Sequence, residues 1–162
     1  EAGLLFVPVD HLGNTQGSEE EVAVIEELVR ELIGREVTDV QGHVRKRLGL
    51  EDIVLVAPYN LQVRKLSAAL GPQARVGSVD KFQGQEAPVV IISMCSSDGE
   101  SSPRGLDFVL NKNRLNVALS RAQSLAIVVG SPRLATARCT SLTQMTLLNM
   151  FCRLMEEGPP GR

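Results

Sequence analysis

The chain has 162 residues, 43% hydrophobic and 22% charged, with a formal net charge of −2. That is enough apolar chain for one domain with a real core, and no basic excess marks a free-standing nucleic-acid binder. Aromatic residues make up only 3%, with no tryptophan, so the core has to be aliphatic. Cys95, Cys139 and Cys152 have no metal-ligand spacing and read as reduced thiols of a cytoplasmic protein. No apolar run is long enough to span a membrane, so no membrane partner is expected. The chain opens on Glu1 rather than methionine and so reads as a piece of a longer or processed protein.

In chain order, residues 4–9 form a short apolar run closed by Asp10, a strand. A polar, glycine-rich loop follows. Ser18 and Glu21 have capping-box spacing, and Val22, Ile25, Val29, Leu32 and Ile33 then recur at helical spacing up to Gly34. A second helix is predicted over residues 38–48. Residues 52–57 (DIVLVA) are an almost wholly apolar strand. Pro58-Tyr59-Asn60 turns it into a helix over 61–70, ended by Gly71-Pro72. Residues 74–78 and 89–94 are strands, 96–105 a loop, 113–121 a helix, 125–130 the fifth strand and 141–155 a closing helix.

Strands that are apolar throughout need cover on both faces. Their alternation with helices predicts an α/β domain, a three-layer parallel sheet of about five strands, over residues 1–157, with 158–162 a frayed tail. Ligands of such sheets sit outside the carboxyl ends of the strands. Tyr59, the 80–86 stretch and the polar residues at 96–98 are expected on that rim.

The chain has no G-x-x-x-x-G-K-[ST], G-x-G-x-x-G, H-E-x-x-H or G-x-S-x-G. His11 and His43 cannot build a familiar metal or triad site, and no metal ligand is assigned. Three polar clusters remain. Tyr59 either stacks on a base or plugs the start of a helix. Ser78, Asp80, Gln83, Gln85 and Glu86 surround Gly84 between two apolar strands; they bind ribose, phosphate or a metal-bound water, or form a solvated loop. Arg114 and Arg121 share one face of the 113–121 helix. Two guanidinium forks there suit a polyphosphate, or else they cap carbonyls and pair with acids.

In this order the clusters resemble motifs IV, V and VI of the second, C-terminal RecA-like domain of superfamily 1 helicases, in the Upf-like branch. The matching text is APYNLQV (57–63), VGSVDKFQGQEAPVVIIS (76–93) and NRLNVALSRA (113–122), followed by LAIVVGSPRL (125–134). The stretch RGLDFVLNKNRLNVALSRAQ also resembles a bacterial subgroup joined to a RecB-like nuclease. The resemblance implies a P-loop NTPase fold lacking its own P-loop, with ATP between two RecA-like domains. The first supplies the P-loop and the acids that hold Mg2+. Arg121 is then the arginine finger on the γ-phosphate and Glu86 the ligand of the ribose or nucleotide edge. Gln83 and Gly84 shape that site, Arg114 adds a second guanidinium, and Tyr59 stacks near the adenine. Ser78 touches the nucleic-acid backbone, while Asp80 and Asn116 hold the motifs together.

The implied partners are single-stranded nucleic acid (DNA ahead of RNA), the N-terminal RecA-like domain of the same longer chain, and a fused nuclease module. Gln123 departs from the family, which often has a second arginine there. The isolated domain should not hydrolyse ATP. The alternative is a catalytically inactive RecA-like scaffold or nucleic-acid clamp; a stand-alone nucleotide-binding protein would need its whole site inside this chain.

Overall fold

The computed structural model describes residues 3–38, 44–82, 84–96 and 120–132. Within them five strands form one sheet in the order β1-β7-β6-β4-β5. They are β1 (Gly3–Pro8), β4 (Ile53–Val56), β5 (Arg75–Gly77), β6 (Ala87–Ser93) and β7 (Ala122–Gly130). Every pairing is parallel. All five predicted strands exist, although β6 and β7 begin two and three residues earlier than the apolar runs suggest (87 against 89, 122 against 125).

Helices α1 (Glu19–Leu32) and α2 (Asn60–Leu70) cover one face of the sheet. Ile53, Leu55, Val89, Ile91, Ile127 and Val129 point into that layer, where Ile25, Val29 and Leu66 meet them. The alternate positions Val54, Val56, Val90, Ile92, Ala126 and Val128 are buried as well. Sheet burial on both faces is what a three-layer arrangement requires. The core is aliphatic, as the composition demands.

Ser18 caps α1 as expected, its hydroxyl accepting the Glu21 backbone N–H at 3.1 Å. Gly34, with φ +91, stands one residue past the C-cap Ile33. The predicted helices over 113–121 and 141–155 lie outside the described residues, apart from Ser120 and Arg121.

The predicted helix over 38–48 is corrected. Two short antiparallel strands, β2 (Glu36–Thr38) and β3 (Val44–Arg47), form a separate sheet there. Val37, Thr38 and Val44 are β-branched and favour a pleated ribbon over a helix of about three turns. The hairpin is tied to the domain by Gly34 N–H to the Leu48 carbonyl at 2.7 Å and Leu48 N–H to the Arg35 carbonyl at 2.8 Å.

Ile91 is fully buried at the centre of β6. Ile91→Ala should cost about 2–5 kcal/mol of stability, by lost transfer energy and the cavity left behind. Urea unfolding followed by circular dichroism checks this.

Candidate functional site

The chain does not go straight from β5 to β6. After Ser78 a short 3-10 turn (Val79–Phe82) carries it back along the sheet. The Phe82 carbonyl then accepts the Gln85 N–H at 3.0 Å. Gly84 sits at the third position of that four-residue turn with φ +79, a backbone state that L side chains rarely adopt. Gln85 and Glu86 emerge exposed and lead directly into β6.

Arg121 stands just before β7 in the same way. Ala87 and Ala122 are register partners, and the Ala87 N–H donates to the Arg121 carbonyl at 3.0 Å. Glu86 and Arg121 therefore lead two adjacent parallel strands and share one rim, the amino edge. The carboxylate of Glu86 is exposed, while Arg121 is half-buried. Its Nε is buried and has no hydrogen-bond acceptor among the described residues. A buried donor without a partner carries a desolvation cost of about 1–3 kcal/mol that an acceptor from outside would relieve. This rim brings together a guanidinium, a carboxylate and an open glycine turn.

The expectation of a common carboxyl-edge site is corrected. Tyr59 and Ser78 follow the carboxyl ends of β4 and β5, while Glu86 and Arg121 precede β6 and β7. The two rims are a strand apart, roughly 13 Å over the four residues of β4 at ~3.3 Å each. The carboxyl-end rule follows a chain only as it leaves a strand, and here the 3-10 turn and the Gly84 turn return it to the opposite edge before the polar residues appear. Tyr59 is 7% exposed at the N-cap position of α2. That matches the plug reading of this residue, and little of the ring is presented to a base. Ser78 is half-buried, Asp80 is exposed, and Gln123 lies exposed in the first turn of the β7 ribbon. Gln83, Arg114 and Asn116 lie outside the described residues.

A second cluster sits at the carboxyl edge and was not anticipated. Glu21 is fully buried. One carboxylate oxygen lies 2.7 Å from Nε2 of His11, which donates to it. The other accepts the Ser93 hydroxyl at 2.7 Å and the Cys95 N–H at 3.0 Å. Gln62 Nε2 donates to the Ser93 hydroxyl at 2.9 Å, and Gln62 Oε1 accepts the Ser18 N–H at 2.8 Å. The capping box is thus half-formed: Ser18 caps Glu21, but the glutamate turns inward and Gln62 replaces it at the Ser18 amide. His11 is the structural histidine that the sequence suggests, held also by Asn14 at 2.9 Å.

The network fixes the exits of β1 and β6 and the first turn of α2 together. It also holds Cys95 at φ +59, a left-handed state that costs a non-glycine residue about 1–2 kcal/mol. Burial, and then the Glu21 carboxylate, push the Cys95 thiol above its ordinary range. Glu20 is exposed beside the cluster; its own backbone N–H in the first turn, and then Asn14, hold its carboxyl below the usual value. Only the Ser18–Glu21 spacing hinted at the cluster. His11 apart, the tertiary partners of Ser18 and Glu21 are 44 to 74 residues away and leave no local signature. Among the described residues no group of three or more His, Cys, Asp or Glu could hold a metal ion. Nor is any described helix long and apolar enough to cross a membrane.

A family model described as an AAA domain matches residues 9–133, which takes in both rims and the network. The chain belongs to this AAA domain family. It is homologous to Upf-like superfamily 1 helicases. The RNA helicase Mov10l1 of Homo sapiens is 38% identical over 96 residues, covering 55% of this chain and 8% of the relative. The DNA polymerase alpha-associated DNA helicase A of Schizosaccharomyces pombe is 37% identical over 94 residues, 56% of this chain and 14% of the relative. An ATP-dependent helicase of Caenorhabditis elegans, C05C10.2, is 32% identical over 120 residues, 74% of this chain and 7% of the relative. The aligned segments thus span only a small part of the length of these proteins.

Two outcomes follow from the buried cluster. Glu21→Ala orphans the Cys95 N–H and its other donors and should cost roughly 2–5 kcal/mol, read by urea unfolding; Glu21→Gln should cost less. Cys95 should escape iodoacetamide at pH 8 in the folded chain and react after unfolding, read by site-resolved mass spectrometry, because a buried neutral thiol is a poor nucleophile.

Proposed function

We propose that this chain, over residues 1–157, is the C-terminal motor half of an ATP-dependent helicase or translocase. In this reading it closes on ATP held by a P-loop domain of the same longer protein. The observation that carries the reading is the Ala87–Arg121 backbone bond. It sets Glu86 and Arg121 on adjacent strands at one open rim, with the Arg121 Nε still lacking an acceptor among the described residues.

Arg121 is the arginine finger: it meets the γ-phosphate and stabilises the charge that develops on transfer to water. Glu86 takes the ribose hydroxyls, and the Gly84 turn lets the backbone approach the nucleotide. Gln83 and Arg114 join them on the strength of the motif resemblance. Acids of the P-loop domain would hold Mg2+, which would supply neutralisation of the phosphate charge. Tyr59 reaches the adenine only if its ring leaves its buried seat.

Ser78, on the opposite rim, contacts the backbone of a single strand. Closing and reopening around ATP at the amino edge then alters the grip at the carboxyl edge. DNA remains the first substrate, although the relatives named above include both an RNA and a DNA helicase. The bacterial resemblance adds a fused nuclease, and the compartment is cytoplasmic.

In the full-length protein, Arg121→Ala should lower kcat for ATP by about 10³-fold or more and leave nucleotide affinity within a few-fold. Steady-state ATPase and equilibrium titration with a fluorescent nucleotide read the two quantities. Hydrolysis at the normal rate by Arg121→Ala removes the finger assignment. Comparison of ATPase stimulation by single-stranded DNA and RNA separates the two substrates.

Exposed Gln123 and buried Tyr59 favour a second reading, a clamp that has lost catalysis. It predicts a full-length protein that binds single strands and does not hydrolyse ATP.

A further inference from the structure

Arg75 opens β5, two strands away from β6, yet it reaches the turn that delivers Glu86. Its Nη1 donates to the Glu51 carbonyl at 3.1 Å, ahead of β4. Its Nη2 donates to Gln85 Oε1 at 2.7 Å, ahead of β6. The guanidinium carbon lies 5.6 Å from the centroid of the Phe82 ring, which is itself buried. Phe82 in turn accepts the Gln85 N–H. Gln85 is therefore held twice, by its amide side chain and by its backbone, and both holds lead back to Arg75. The following residue is Glu86, and the one after it bonds to Arg121.

We propose that Arg75 is a positioning residue for the nucleotide: through Gln85 it fixes the Gly84–Glu86 turn and so the place of the Glu86 carboxylate beside Arg121. The inference rests on the nucleotide-binding reading of this rim. A planar fork suits the task because it makes two directed bonds from one rigid plane while stacking on an aromatic face. A lysine in its place supplies charge but no fork. The partners of Arg75 are a neutral amide and a carbonyl, and it forms no ion pair with the described residues. Its role is therefore geometric, and the acceptor on Gln85 rather than its charge is what matters. Because Arg75 does not touch the phosphate being transferred, losing it should loosen nucleotide binding without slowing chemistry.

The test uses the full-length protein. Arg75→Ala and Gln85→Ala should each raise KM for ATP about five- to tenfold with kcat within twofold, and the double variant should be no worse than either single one. Arg75→Lys should resemble Arg75→Ala, whereas Gln85→Glu, which keeps an acceptor oxygen, should retain the normal KM. Multiplying effects in the double variant, or a loss of kcat in place of a rise in KM, overturn the proposal.

Amide exchange of the 84–90 peptide, followed by mass spectrometry, reads the turn directly even if no ATP is turned over. It should speed up about tenfold in Arg75→Ala and Gln85→Ala, and unchanged exchange also overturns the proposal. If Arg121→Ala loses turnover as expected while Arg75→Ala keeps both KM and exchange, only this inference falls. If Arg121→Ala is fully active but Arg75→Ala loosens the turn, the finger assignment falls and the positioning of Glu86 stands.

Discussion

The described domain is organised around a carboxylate taken out of water. Burying a charged group is costly unless donors replace its hydration. Glu21 meets that demand with a histidine ring from the loop after β1 and with a hydroxyl and a backbone amide from the end of β6. Because each donor has few alternatives in the interior, the arrangement specifies how those segments meet. The loop after β1 cannot move far without disturbing the end of β6, nor α2 without disturbing Ser18. A network of this kind fixes a rim in one geometry more than it adds net stability.

With the carboxyl rim pinned, the amino rim is where the sheet presents unmatched chemistry. Arg121 and Glu86 are placed there by the ladder itself, since each directly precedes a strand of the paired β6–β7 core. The family match spans residues 9–133, which contain both rims. The nucleotide role of one rim and the strand-binding role of the other are the proposal that best uses this division. A parallel sheet is a stiff plate, so a displacement imposed at one edge is carried to the other along continuous strands rather than through flexible loops.

Much of this was legible in the sequence. Apolar runs bounded by turn residues gave all five strands of the sheet, and Ser18 and Gly34 marked the limits of α1. What failed did so for physical reasons. Residues 38–48 offer weak helical periodicity against several β-branched side chains, and pairing with the neighbouring segment decided the outcome. The carboxyl-edge rule located Tyr59 and Ser78 but misplaced Glu86, because a 3-10 turn and one left-handed glycine reverse the path of the chain within nine residues, from Ser78 to Glu86. Glu21 read as half of a capping box because helix-start chemistry is local and its true partners are not. Arg75 lies inside the predicted 74–78 strand and carries no signal of its own; its role depends on Gln85 lying beside it in space.

The register of β6 against β7 has a wider meaning. Parallel strands can slip only in whole residue steps, and a one-residue slip here would exchange the side chains of two differently packed buried faces. The backbone offset between Glu86 and Arg121 is therefore quantised. It is indifferent to the length or composition of the chain that joins the end of one strand to the start of the next. Descendants of this sequence that keep this pairing keep Glu86 and Arg121 adjacent at the rim, whatever is added beyond the sheet.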